Sequence, residues 1–216
     1  MMSPVALSLR VAGVATLLTV LTGTPLAWLL GRHRFPGRSL VETGVLLPLV
    51  LPPTVLGYYL LVVLSRHGAI GALFDRAGIA LAFTWWGAVI AAWVGSFAMF
   101  ARTAQAGFEL VDSRLEEAAR TLGRSEWGVF ATVTLPLAWR GVLAGTMLAF
   151  CRAVGEFGIT LMVAGNIPGR TQTIPLAIYD HVQSNRLGEA DRLSLLTLAL
   201  VAVVLLSVGR LTRARR

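Results

Sequence analysis

Arg152 and Glu156 stand four residues apart in an otherwise apolar run, so a guanidinium and a carboxylate share one face of a helix. An Arg at the centre of a membrane helix costs about 2.5–3.5 kcal/mol on insertion scales, so both groups must face protein or water rather than lipid. Two chemistries fit that demand. Either the pair neutralises itself and locks helices together, or it lines a polar path in which Arg152 attracts an anion and Glu156 holds it in position. Upstream, Pro48, Pro52 and Pro53 fall within one apolar stretch and must interrupt or kink its helical ladder. Irregular backbone at membrane depth survives only where it is buried in protein or lines a cavity, so these prolines serve either packing or a path. A third feature lies between apolar runs. Glu117, followed by Ala118 and Ala119, is either a solvated helix charge or a carboxylate offered to a partner.

Other chemistries find no residues. All 19 basic side chains are Arg, and a phosphate-binding P-loop needs its Lys, so ATP-driven work must come from a partner. No cofactor is expected on this chain. His33, His67 and His181 are scattered without helical pairing, which argues against a metal site. The single Cys151 sits in an apolar helix as a small packing residue. An intramembrane enzyme would need a convergent nucleophile and base, but the apolar runs offer Ser and Thr without His or paired acids. A stand-alone channel or secondary transporter is allowed by the apolar runs alone. The formal charge of +8 raises nucleic-acid binding. However, no polar stretch interleaves basic and aromatic residues, and positive loops flanking membrane spans account for the charge better.

These groups need elements to hold them. The chain is 56% hydrophobic and 14% charged, with a mean hydropathy of +0.72, too apolar to clothe a soluble domain of its size. One all-α membrane domain is expected over about 5–209, with a basic tail at 210–216. Five segments can cross roughly 30 Å of hydrocarbon: about 5–30, 43–64, 79–100, 137–163 and 193–208. All five should be helices, because lipid leaves no partner for unpaired backbone groups. The first is too long, and lacks the small-residue end, for a cleaved signal peptide. Twelve Arg fall on one side of these spans and six on the other. The Arg-rich side should be cytoplasmic, which puts the N-terminus outside and the C-terminus inside.

The third loop, about 112–136, then lies in the cytoplasm. Ser113 with Glu116 three residues on reads as a capping box, so a helix should begin near Arg114. Gly123 sits where that helix would end in a left-handed residue, Ser125 could start a second short helix, and Leu135-Pro136 feeds the fourth span. In that span Gly141, Gly145 and Ala149 recur every four residues, a spacing of small side chains that lets helices approach closely. A short helix is expected at about 175–182, on the outer side.

The string Glu117-Ala118-Ala119, three residues, Gly123, nine residues, Val133, one residue, Leu135-Pro136 resembles the EAA loop of ABC-importer membrane subunits, with Val133 for the usual Ile. The run from Leu47 to Tyr59 with its prolines is similar to the second-span motif of molybdate ABC-transporter permeases. So are Val154-Gly155-Glu156-Phe157-Gly158 and the segment Gly165-Asn166-Ile167-Pro168-Gly169 running on to Pro175. The Gly-Glu-Phe-Gly core is shared with sulfate and tungstate permeases and is less specific. The resemblance implies a type I permease fold of five transmembrane helices in the bacterial plasma (inner) membrane. It implies a homodimer of this chain with two ATPase subunits, which use ATP and Mg, and a separate periplasmic or extracellular molybdate-binding protein. It assigns ATPase coupling to Glu117, Ala118, Ala119, Gly123, Leu135 and Pro136. The outer segment of about 165–192, with its short helix, would touch the binding protein.

Overall fold

The computed structural model describes residues 2–212, and every regular element among them is helical. Ser3 accepts from the Ala6 N–H and Pro4 occupies the first turn, so α1 (Pro4–Arg32) begins abruptly. It runs against the hub of the bundle, α5 (Trp85–Glu109), which also receives α8 (Leu135–Val154) along its length. The reason is side-chain size. Ala88, Ala91, Ala92, Gly95, Ala98, Ala101 and Ala104 leave α5 so thin that 61% of its most apolar stretch is buried, against 6% of the matching stretch within 187–207 of α11 (Leu187–Thr212). On α8, Gly141 meets Gly107 so closely that a Cβ on Gly141 would lie 2.5 Å from the Gly107 Cα. Gly145 lies on the Phe100 carbonyl and ring, and Ala149 is buried in the same seam.

The predicted span at 43–64 is not one helix. It is α2 (Arg38–Val50) and α3 (Pro53–Leu64), bent by 111° at the break. At the break the two residues that precede a proline are driven to extended backbone: Leu51 has φ/ψ of −65/143° and Pro52 of −54/133°. Pro48 remains inside α2. After α3 comes the short α4 (Gly71–Asp75). The third helix starts at Trp85 rather than 79, because Phe83 is left-handed (φ 56°) and Thr84 is extended, and it continues to Glu109. The polar loop is correspondingly shorter than 112–136. It holds α6 (Ser113–Thr121), and α7 (Glu126–Val129) already joins α8 through a π-helical turn, Phe130–Thr134. The predicted fourth span, 137–163, also breaks. α8 ends at Val154 and α9 (Gly158–Ala164) follows separately. α10 (Ile174–Gln183) is held to α1 by the Ile174 N–H donating to Ser8 Oγ at 2.7 Å. α11 extends past both ends of the predicted 193–208 and takes in Arg210 of the tail, while residues 213–216 lie outside the described residues.

Candidate functional site

Two clusters carry the chemistry. The first is the α6–α7 segment. Asp112, not Ser113, caps α6, accepting from the Arg114 N–H at 2.9 Å. The helix ends in a Schellman motif on Gly123, at φ +80°: the Gly123 N–H donates to the Arg120 carbonyl at 2.9 Å and the Arg124 N–H to the Ala119 carbonyl at 3.2 Å. Ser125 then caps α7 by accepting from the Gly128 N–H. Arg120 donates to both oxygens of Glu126, at 2.7 and 3.1 Å, and that carboxylate holds the guanidinium above its ordinary pKa. Glu117 and Ala118 are exposed and Ala119 is half-buried. Around them stand large apolar side chains with nothing over them: Leu110 is 87% exposed, Leu122 85% and Trp127 75%. Exposed apolar side chains of this size mark a contact with protein or membrane. Leu135 packs under it against the cluster of Ala27, Phe100 and Phe130, and Pro136 occupies the first turn of α8.

Glu116 does not face water as a capping-box residue would. Its carboxylate is buried, with Oε1 accepting from Thr134 Oγ1 at 2.6 Å and Oε2 paired with the Arg32 guanidinium. Arg32 also donates from Nη1 to the Val111 carbonyl at 2.8 Å. The cap therefore rests on Asp112 alone, with this carboxylate engaged elsewhere.

The second cluster lies at the break between α8 and α9. Glu156 is 2% exposed: Oε1 accepts from the Ile159 N–H at 2.9 Å, capping α9, and Oε2 lies 2.6 Å from Arg152 Nη1. The latter contact is an ion pair without hydrogen-bond alignment. A Cβ at Gly95 would stand 2.6 Å from Oε2, so α5 must be bare there. Arg152 sits in the last turn of α8 rather than mid-span, with 31% of its side chain exposed. The break in the second span meets this one, since a Cβ at Gly158 would lie 2.7 Å from Pro53 Cβ, and Gly57 of α3 is pressed on Met162. Pro53, next to Pro52, is therefore brought against the start of α9, two residues after Glu156. Pro48 is not. It lines an apolar groove of about 350 Å³ with Val45, Trp93 and Phe97, on a different face of α5 from Gly95.

Residues 23–214 match the family described as binding-protein-dependent transport system inner membrane component. The chain belongs to that family. It is therefore a multi-pass membrane permease, a transport subunit rather than an enzyme in its own right. It is 48% identical over 215 residues to the Molybdenum transport system permease protein ModB of Escherichia coli (strain K12), covering 98% of this chain and 93% of the relative. It is 40% identical over 185 residues to the Probable sulfate transport system permease protein cysT of Chlorokybus atmophyticus, covering 83% and 65%. Its fold matches that of a chain in a bacterial alginate ABC transporter, solved in complex with an alginate pentasaccharide-bound periplasmic protein. The TM-score is 0.75 at 17% identity, over 97% of this chain and 77% of that one. The architecture is that of a type I ABC importer permease.

Sequence reasoning took Glu116 only for a capping-box residue and Arg32 only for a loop charge, and it passed over Thr134 and Gly95 in this permease. Local sequence could not separate Glu116 from Glu117, because consecutive residues of α6 such as Glu117 and Ala118 share its exposed face.

Proposed function

We propose that this chain is the membrane permease of a molybdate importer, working as a homodimer with two ATPase subunits and a separate oxyanion-binding protein. The observation that carries the cargo is the near-full-length likeness to the molybdenum permease. The geometry supports the mechanism. The exposed apolar patch on α6 and α7, with Glu117 beside Ala118 and Ala119, is a surface an ATPase can bury. Gly123 and Glu117 pass nucleotide-driven closure of the ATPase to the spans through Leu135 and Pro136. ATP and Mg are used by that partner, and this chain binds no cofactor. The Arg-rich end, with the α6–α7 segment, faces the cytoplasm, the N-terminus lies outside and the C-terminus inside. The segment after α9, with α10, faces the binding protein.

In the membrane, Glu156 fixes the break between α8 and α9, while Arg152 keeps an open edge that an oxyanion can approach. Proline-broken backbone at Pro52 and Pro53 shapes the wall beside it. A related cargo, sulfate, is the second reading, favoured by the likeness to the sulfate permease. Radiolabelled molybdate uptake in cells lacking this chain, with and without excess sulfate or tungstate, separates them. Molybdate uptake restored by the chain and resistant to sulfate is the expected result. Uptake that stays unchanged on deleting the chain would remove molybdate as the cargo.

A further inference from the structure

The exposed part of α6 offers a partner something to hold, but exposure alone cannot move a membrane helix. Beside the exposed Arg120–Glu126 pair, which reaches α7, what ties α6 to the spans is a buried carboxylate. We infer that Glu116 is the positioning residue of transport, clamping α6 at once to the end of α1 through Arg32 and to the head of α8 through Thr134. The inference rests on the reading of α6 as the ATPase-docking element and deepens it.

The geometry leaves little slack. The Glu116 and Arg32 side chains are only 6% and 12% exposed, so the pair is largely withdrawn from bulk water. Oε1 is taken by Thr134 Oγ1 at 2.6 Å, and Oε2 by both Nε and Nη2 of Arg32. The remaining Arg32 Nη1 reaches the Val111 carbonyl, just past the end of α5, at 2.8 Å. Hydrogen bonds weaken steeply beyond their narrow range, so an α6 displacement of about 1 Å either breaks these bonds or carries Arg32 and Thr134 with it. Thr134 is the last residue of the π turn. Such turns hold one residue more per turn than the flanking α-helix, a register the helix can take up when its end is pulled. Glu117, one position on, makes no such contact and is exposed. The two adjacent glutamates thus divide the work, Glu117 toward the partner and Glu116 toward the spans.

The test uses the full chain assembled with the ATPase of its importer in proteoliposomes, with molybdate-loaded binding protein, reading molybdate transported per ATP hydrolysed. If the unaltered chain fails to hold the ATPase, the docking reading falls and the inference falls with it. Given an active complex, Thr134→Val and Glu116→Gln are expected to keep the ATPase bound and hydrolysing while transport per ATP drops about tenfold, the scale of one lost charge-assisted hydrogen bond. Thr134→Ser keeps the hydroxyl and should restore the ratio, as Arg32→Lys should in part. An unchanged ratio in Thr134→Val would overturn the inference. So would failure of both Thr134→Val and Glu116→Gln to assemble while Thr134→Ser assembles normally, because the network would then serve folding alone.

Discussion

Glu116 and Glu156 are both buried carboxylates facing an arginine, yet they are wired in opposite ways. Glu156 pairs within its own stretch of chain, with Arg152 one turn before it and the Ile159 N–H just after it. Glu116 reaches across the fold, to Arg32 at the end of α1 and Thr134 at the head of α8. Local wiring fixes the shape of one break. Long-range wiring makes separate helices answer to one another. The same pair of functional groups therefore serves as a local strut in one place and a tie in the other, and only the sequence separation of the partners tells them apart.

The largest effect should come from cutting the strut. Glu156→Ala strips the Ile159 N–H of its acceptor and the half-buried Arg152 of its counter-charge, and should cost about 3 kcal/mol, seen as a fall in thermal unfolding temperature of the detergent-solubilised permease. A loss near zero would mean the break holds itself. Arg152→Gln should cost less, about 1–3 kcal/mol, because Glu156 keeps the Ile159 N–H. Its telling readout is uptake. Lost uptake with an assembled complex supports a role on the anion path, and loss of the complex returns the residue to helix locking. Gly123→Val places a branched side chain at φ +80° and should add about 1–2 kcal/mol of strain confined to the end of α6. Uptake should fall while the spans stay folded, and normal uptake with normal ATPase assembly would detach this turn from coupling. Smallest in stability is Leu122→Asp, within about 0.5 kcal/mol for the isolated chain because the side chain is exposed. Copurification of the ATPase should nevertheless be lost, and its retention would move the docking surface elsewhere.

What the sequence made legible follows a physical line. Helices, small-residue seams and caps depend on near neighbours in the chain, so Gly123, Ser125 and the spacing of Gly141, Gly145 and Ala149 could be read directly. Their contacts could not, because the main-chain approach of Gly107 to Gly141 joins two helices far apart in sequence. Hydropathy found the apolar lengths but set their ends by composition. It ran the second span through Pro52 and Pro53 and the fourth through Glu156, where the backbone turns. Arg32 was counted only as one positive charge among twelve on its side, although its length lets it reach the Val111 carbonyl. Nothing in the local pattern announces a partner 84 residues away.

The contact between Gly107 and Gly141 has a mechanical consequence. Where two helices meet through side chains, rotamers can rearrange and let one slide over the other. Here the main chains themselves touch, and no soft layer lies between them. α5 and α8 must therefore travel together as one stiff lever, and bending is left to the joints at residues 51–52 and 155–157.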